Sequence, residues 1–334
     1  MIHFDTLSDK AQATLYGLFI GDALAMPVHW YYDPLNIEKD FGTIRDYMAP
    51  KAAHPESILW RSSYKALNSR GEILHDQAKY WGRHHVHYHQ FLEAGENTVN
   101  QKLCQLQYLS LVTNGGWDTD DYLERYIKFM TTPGMHKDTY LEESHRGFFI
   151  RYAQGLAPKN CSVVEKHIGG LACLFPLLAY YDEDIETGKR CALERMRLTH
   201  KGPVMEDAAK VVLKLYESLH AGMLLQDAAE QLIKSQCSPL LKGNWKKWIS
   251  MPTGDVLKRR IGTVCYVQSA VPAIIYLLLK YGGQPEQVLS ENTMAGGDNA
   301  YRGAVLGALL GQAHGMNAWP KRWIDGLKLE VSIS

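Results

Sequence analysis

Tyr16-Gly17-Leu18-Phe19-Ile20-Gly21-Asp22-Ala23-Leu24-Ala25-Met26-Pro27 is the stretch on which the fold turns. Gly17, Gly21 and Ala25 recur every four residues and so share one helical face. A glycine inside a helix costs about 1 kcal/mol relative to alanine, a cost that is tolerable where two backbones must approach closely. Gly303, Gly307, Gly311 and Gly315 repeat the same spacing near the other end of the chain. If the two stripes face each other, Asp22 comes near Asp298, at the start of the late helix.

Helical periodicity spreads outward from these stripes. Ser8 is a candidate N-cap for a helix over 8–26, and Pro27 ends it. Segments 98–112, 118–130, 168–181, 205–221, 225–235, 264–281 and 299–314 carry the same pattern, the second opening on the cap-like cluster Asp118-Thr119-Asp120-Asp121. Alternating strands are few, and helices without βαβ alternation predict an all-α fold. Residues 32–90 are polar, aromatic and histidine-rich with weak periodicity, which predicts an irregular insertion with short helices. The stretch 235–260, with Pro239, Gly243, Pro252 and Gly254, reads as irregular too. No Ser/Gly-rich linker or fixed-period repeat interrupts the chain, so residues 1–334 are expected to form one compact multi-helix domain.

Composition narrows the function classes. Hydrophobic residues make up 46% of 334, enough for a large core. Lys+Arg and Asp+Glu both number 36, which argues against a nucleic-acid footprint and gives no polybasic membrane signal. No apolar run is long enough for a membrane span, and the first ten residues lack a signal-peptide pattern. The six cysteines include no CxxC pair and several sit in apolar runs, so they read as buried, reduced thiols of a cytoplasmic protein. The expected partner is a small molecule or a small modified group; oligomeric state is left open.

Four motifs in order resemble the ADP-ribosylglycohydrolase family. Tyr16–Pro27 is similar to its opening helix, and Val271-Pro272-Ala273-Ile274-Ile275-Tyr276 to its penultimate core helix. Ala295-Gly296-Gly297-Asp298, with the glycine-rich helix, Trp319-Pro320 and Trp323, resembles its closing metal-site segment. Leu198-Thr199-His200 followed by Ala208-Ala209 resembles its Thr-His segment. The resemblance implies an all-α ADP-ribosylglycohydrolase-like fold and hydrolysis of a glycosidic bond at the anomeric carbon of ADP-ribose. It also implies two magnesium ions, held by an early Thr-Asp-Asp-Thr and a late Asp-Thr-Asp-Thr segment.

The sequence departs from that pattern at the ligands. The late segment reads Asp298-Asn299-Ala300-Tyr301, and alanine has no donor. The early counterpart is Gly95-Glu96-Asn97-Thr98; the Asp118 cluster sits too far along and begins a later helix. Two carboxylates replace four, so at most one Mg2+, on Glu96 and Asp298, is expected and no dinuclear centre. Glu96 and Asp298 are also the expected catalytic pair, because glycosidic hydrolysis needs a protonated leaving group or an activated water. Each has a second reading, Glu96 as a first-turn acid and Asp298 as an N-cap.

Asp22, His87, His89, Asn97, Thr98, His167, Asn299 and Arg302 are the expected substrate-binding residues. The asparagines suit ribose hydroxyls, Arg302 a phosphate or carboxylate, and the histidines hydrogen bonding or stacking. His200 stands between catalysis and packing. His84, His85, His87 and His89 crowd together but lack a matching ligand set elsewhere, so they are not read as a zinc site. The leading expectation is a hydrolase of an ADP-ribosyl or related ribosyl N-glycoside. Two alternatives stay open: an inactive ligand-binding or crystallin-like structural protein, and a related glycoside or amide hydrolase using the rewritten site.

Overall fold

The structure, a computed structural model, describes residues 4–330; residues 1–3 and 331–334 of the expected domain lie outside the described residues. Among these there are sixteen α-helices and one two-stranded parallel sheet, Val163–Val164 beside His200–Lys201. The fold is all-α, as expected.

The two glycine stripes meet. The first helix, Asp9–Ala25, is capped by the Ser8 side chain, which accepts from the Ala11 amide. It lies backbone to backbone against the closing helix, Asn299–His314. A Cβ on Gly21 would sit 2.0 Å from the Gly303 carbonyl oxygen, and one on Gly307 would sit 1.9 Å from that of Gly17. No side chain fits there, which is why both helices carry glycine despite its helix penalty. Both are buried almost all round, as befits the centre of a large core.

A second apolar cluster forms where the helix Val99–Asn114 meets Thr119–Thr131 and Glu143–Ala153, through Leu103, Leu106, Tyr122, Tyr126, Phe148 and Phe149. The opposite face of Val99–Asn114 sends Cys104, Tyr108 and Leu111 into the main core. This helix therefore joins both halves of the interior.

Several expected elements differ in detail. The helix expected over 168–181 is broken into Gly169–Ala172 and Phe175–Tyr180. Pro176 has no N–H to return to the Ala172 carbonyl, so the helix cannot run through. Glu143–Ala153, Ile185–Arg197 and Pro285–Ala295 are helices that the hydrophobic pattern did not show. Ile185–Arg197 buries only Gly188, Cys191, Ala192, Arg195 and Met196, too small and mixed a face to stand out. Residues 32–90 hold one α-helix, Pro34–Phe41, and short 3-10 turns in otherwise irregular chain. Histidines pin that chain down: His54 Nε2 donates to the His29 carbonyl at 3.1 Å and His87 Nε2 to that of Pro27 at 3.1 Å.

Candidate active site

The site begins where the first helix ends. After the turn Met26–Val28 the backbone delivers His29 and then Trp30, whose φ of 63° is a left-handed conformation rare for a bulky residue. The Trp30 amide donates to the Gly297 carbonyl at 2.8 Å, and the Gly297 amide to the Tyr31 carbonyl at 2.6 Å. Gly297 is left-handed too, and a Cβ there would lie 2.0 Å from the Thr263 carbonyl oxygen, which accepts the Asp298 amide at 2.9 Å. Three chain segments are thus laced together by backbone bonds. The strain at Trp30 persists because its neighbours over-determine it, a pattern that gathers at functional sites.

This lacing sets His29 against Asp298 and starts a buried chain of four side chains. His29 Nε2 lies 3.0 Å from Asp298 Oδ1, and His29 Nδ1 lies 2.8 Å from His89 Nε2. His89 Nδ1 makes a short contact with Asp138 Oδ1, and Asp138 Oδ2 accepts from the amide of Val99, the first residue of the helix Val99–Asn114. His29, His89, Asp138 and Asp298 are all fully buried. Three hydrogen bonds in series between two carboxylates need three protons. They can be held as one imidazolium between two carboxylates, or as two neutral rings with one protonated carboxyl. Moving between these forms shifts protons along the chain without changing its net charge. Asp298 Oδ2 has no partner. Burial pushes the Asp298 carboxyl up to about 7, with Arg302 and His167 opposing. Burial also drives His29 well below the usual imidazole range, with His89 acting in the same direction.

Trp30, whose ring stacks on His29, lines a cavity of about 390 Å3, within the range of small-ligand sites. Trp30, Tyr32, Tyr88 and Tyr140 make aromatic walls, Arg61 and Arg146 add two cations, and Glu142, His167 and Cys265 add reactive groups. Glu142 Oε2 accepts from Asn100 Nδ2 at 2.6 Å, while Oε1 has no partner. Burial raises Glu142 to about 8; His167 opposes, and the nearby Asp298 charge adds to the rise. A buried carboxyl held protonated near neutrality, on a residue that lines a ligand-sized cavity, suits proton donation.

His167 and Cys265 are brought together by an antiparallel bridge beside the small sheet. The Glu165 amide bonds the Lys201 carbonyl, the Ile168 amide bonds that of Cys265, and His167 pairs with Tyr266 across an antiparallel bridge. His167 Nδ1 makes a short contact with Glu165 Oε2. Burial alone would lower the imidazole, but hydrogen bonding to Cys265 and Glu165 and the nearby Glu142 carry it up to about 11.

The expected site residues fall into three groups. His167 lines the cavity, and Asp298 with His89 forms the buried chain behind it. Asp22, Asn97 and Thr98 instead tie helices together. Asn97 Nδ2 donates to Asp22 Oδ2 at 3.0 Å, and the Thr98 amide and hydroxyl both donate to Asp22 at 2.8 Å. Asp22 and Asp138 together satisfy amides at the N-terminus of Val99–Asn114, where negative charge is stabilised. Asn299 donates to the Thr293 carbonyl, Arg302 is held by Asn292 and the Gly296 carbonyl, and His87 accepts from the His89 amide. These contacts place all three as braces, although Asn299 Oδ1 and Arg302 Nη1 remain unpartnered.

Glu96 has partners of its own in the structure. Its Oε1 sits 3.4 Å from Lys102 Nζ and 3.3 Å from Lys137 Nζ, and its Oε2 accepts from the Glu93 amide at 2.7 Å. Its carboxylate is already engaged by two lysines, and none of its contacts leads to Asp298. The single Mg2+ expected on Glu96 and Asp298 therefore lacks a shared donor set. A two-magnesium centre does not fit either. The imidazole of His29 occupies one oxygen of Asp298, Ala300 offers no ligand, and the buried Tyr301 ring stands edge-on to His29 with centroids 4.8 Å apart. Hard cations require oxygen donors in number, and the space is filled by aromatic rings. His200 has its Nδ1 bound to the Thr199 hydroxyl and its Nε2 free, 3.9 Å from Glu142. Of the cysteines, four are buried while Cys237 and Cys265 are partly exposed, and all are unpaired.

Sequence reasoning missed His29, Asp138, Glu142 and Cys265. His29 follows Pro27 by two residues, and that adjacency to the motif helix was the available signal. Glu142 looked like an ordinary acid at a helix start, and Asp138 lay in a stretch without pattern.

The model of the ADP-ribosylglycohydrolase family matches residues 4–333 of this chain. Among solved structures, a protein described as an "ADP-ribosylglycohydrolase-related protein complex" is similar, with a TM-score of 0.64 and 19% identity over 96% of this chain and 93% of that one. This likeness concerns the fold. A search of curated proteins finds no match. Among the described residues no helix is long and apolar enough to cross a membrane.

Proposed function

This chain belongs to the ADP-ribosylglycohydrolase family, and we propose that it hydrolyses an ADP-ribosyl or related ribosyl N-glycosidic bond in the cavity between Trp30 and Tyr140. Glu142 is the catalytic acid in this reading. The observation that carries it is the buried Glu142 carboxyl at the cavity wall, raised to about 8, with its Oε1 free of any protein partner.

The chemistry needs no second carboxylate in contact with substrate. Protonated Glu142 gives its proton to the leaving nitrogen as the bond to the anomeric carbon breaks. The resulting carboxylate then takes a proton from the water that attacks that carbon, and Glu142 returns to its starting form. One residue thus serves as acid and then as base. Asp298 acts through Glu142 as a positioning residue. Its negative charge helps keep Glu142 protonated, and its link to His29, His89 and Asp138 buffers that charge. The aromatic walls suit a base or sugar ring, and Arg61 and Arg146 suit a diphosphate.

A second reading has its own support. Asp22, Asn97 and Thr98 satisfy one another, and Tyr301 fills space beside Asp298, which is consistent with a ligand-binding or structural protein that has given up metal chemistry. A screen of ADP-ribosylated Arg, Ser and Asn compounds, ADP-ribose derivatives and nucleosides separates the two. Turnover of any member supports the hydrolase. Binding of ADP-ribose with no turnover across the screen supports the second reading.

A further inference from the structure

We propose that Glu143, Glu165 and His167 form a site for one divalent first-row transition-metal ion on the cavity wall, away from the position that the family's magnesium pattern implies. Each offers a ligand atom, and the three atoms lie within 4.8 Å of one another. The site comes from two elements. Glu143 is the first residue of the helix Glu143–Ala153. Glu165 and His167 follow the strand Val163–Val164, on a segment held by Lys201 on one side and by Cys265 and Val267 on the other. On an extended chain residues two apart share a side. Glu165 and His167 do so, while Lys166 between them lies 4.0 Å over the Tyr266 ring. Metal–nitrogen and metal–oxygen bonds of about 2.0–2.2 Å require only a modest inward rotation of these side chains.

An independent observation points to a cation here. Glu142, only 2% exposed, lines the same cavity with Oε1 unpartnered. Its carboxylate lies over Gly169, two residues from His167, where a Cβ would come within 2.5 Å of Oε2. Glu143 and Glu165 therefore face one imidazole, with the buried Glu142 carboxyl beside them in the same cavity. Arg146 holds its Nε and Nη1 on the carbonyls of Leu141 and Ser63 and pairs its Nη2 with Glu143 at 3.7 Å, a loose contact that a bound ion would replace. Without a metal, the proton between His167 and Glu165 stands in the cation's place. A bound ion displaces it, so binding releases a proton and strengthens with pH.

The donor types select the ion. One imidazole with two carboxylates, and open positions toward the cavity, suits zinc, cobalt, iron or manganese better than magnesium. The inference stands apart from the glycosidase reading, because metal binding is measured without turnover.

Titrating EDTA-treated full-length protein with Co2+ or Zn2+ alone, by calorimetry and by the visible spectrum of bound cobalt, tests it. The expected result is one ion per chain, not displaced by Mg2+. His167→Gln and Glu165→Gln should weaken it by more than the roughly 10–100-fold that an outer-shell change costs, with far-ultraviolet dichroism unchanged. Glu96→Gln should bind as wild type. Absence of binding overturns the proposal. So does binding that survives His167→Gln, or that is lost in Glu96→Gln.

Discussion

Replacing Glu142 with Gln should stabilise the protein, and by an amount that depends on pH. The folded carboxyl titrates near 8 against an ordinary value of 4.5. Below about pH 4.5 the group is protonated in folded and unfolded chains alike and contributes no difference. Between 4.5 and 8 the unfolded chain ionises while the folded one keeps its proton, so wild-type stability falls as pH rises. Above 8 the full penalty is present. A gap of three to four pH units is worth on the order of 5 kcal/mol, and sharing with Asp298 and His167 makes about 3–5 kcal/mol the expected scale. Gln keeps the shape and still accepts from Asn100. Urea unfolding of both proteins from pH 5 to 9 measures the difference, which should be small at pH 5 and largest at pH 9. An equal difference at the two ends, or a wild type more stable at pH 9, would refute the placement of Glu142 as a buried, proton-holding acid.

Gly303→Ala should destabilise by at least about 1–3 kcal/mol despite its better helix propensity, because the new Cβ would lie 2.4 Å from the Gly21 carbonyl oxygen; thermal or urea unfolding checks this, and a gain in stability would count against the helix contact. The buried chain from Asp298 to Asp138 should give low-field proton resonances in the NMR spectrum, from imidazole protons shielded from exchange. Asp138→Asn should shift or remove the His89 signal while Glu96→Gln leaves the set intact.

The helices at the two ends of the chain were legible because their constraint is local: a four-residue glycine spacing has one geometric meaning wherever it occurs. Asp298 was legible for the same reason, sitting directly before that stripe. The site was legible only in part, since its working groups come from segments with no pattern of their own. Glu142 matters because Gly169 leaves room for its carboxylate and Asn100 holds one oxygen, and both facts depend on chain far away in sequence. Asp138 is one of two carboxylates at the N-terminus of Val99–Asn114, a role that no neighbour of Asp138 announces. The place of Glu96 in the motif was apparent, but its pairing with Lys102 and Lys137 was not, because nothing around either lysine marks it as a partner in the sequence.

The ratio of turnover in Glu142→Gln to that in Glu96→Gln, on whichever screened ADP-ribosyl compound the wild type cleaves, tests the central claim most directly. Loss of a general acid costs about 10²–10⁴-fold. The account predicts that loss in Glu142→Gln with substrate binding retained, and wild-type turnover in Glu96→Gln. Wild-type turnover in Glu142→Gln together with a loss in Glu96→Gln would contradict it and return catalysis to the lysine-paired carboxylate.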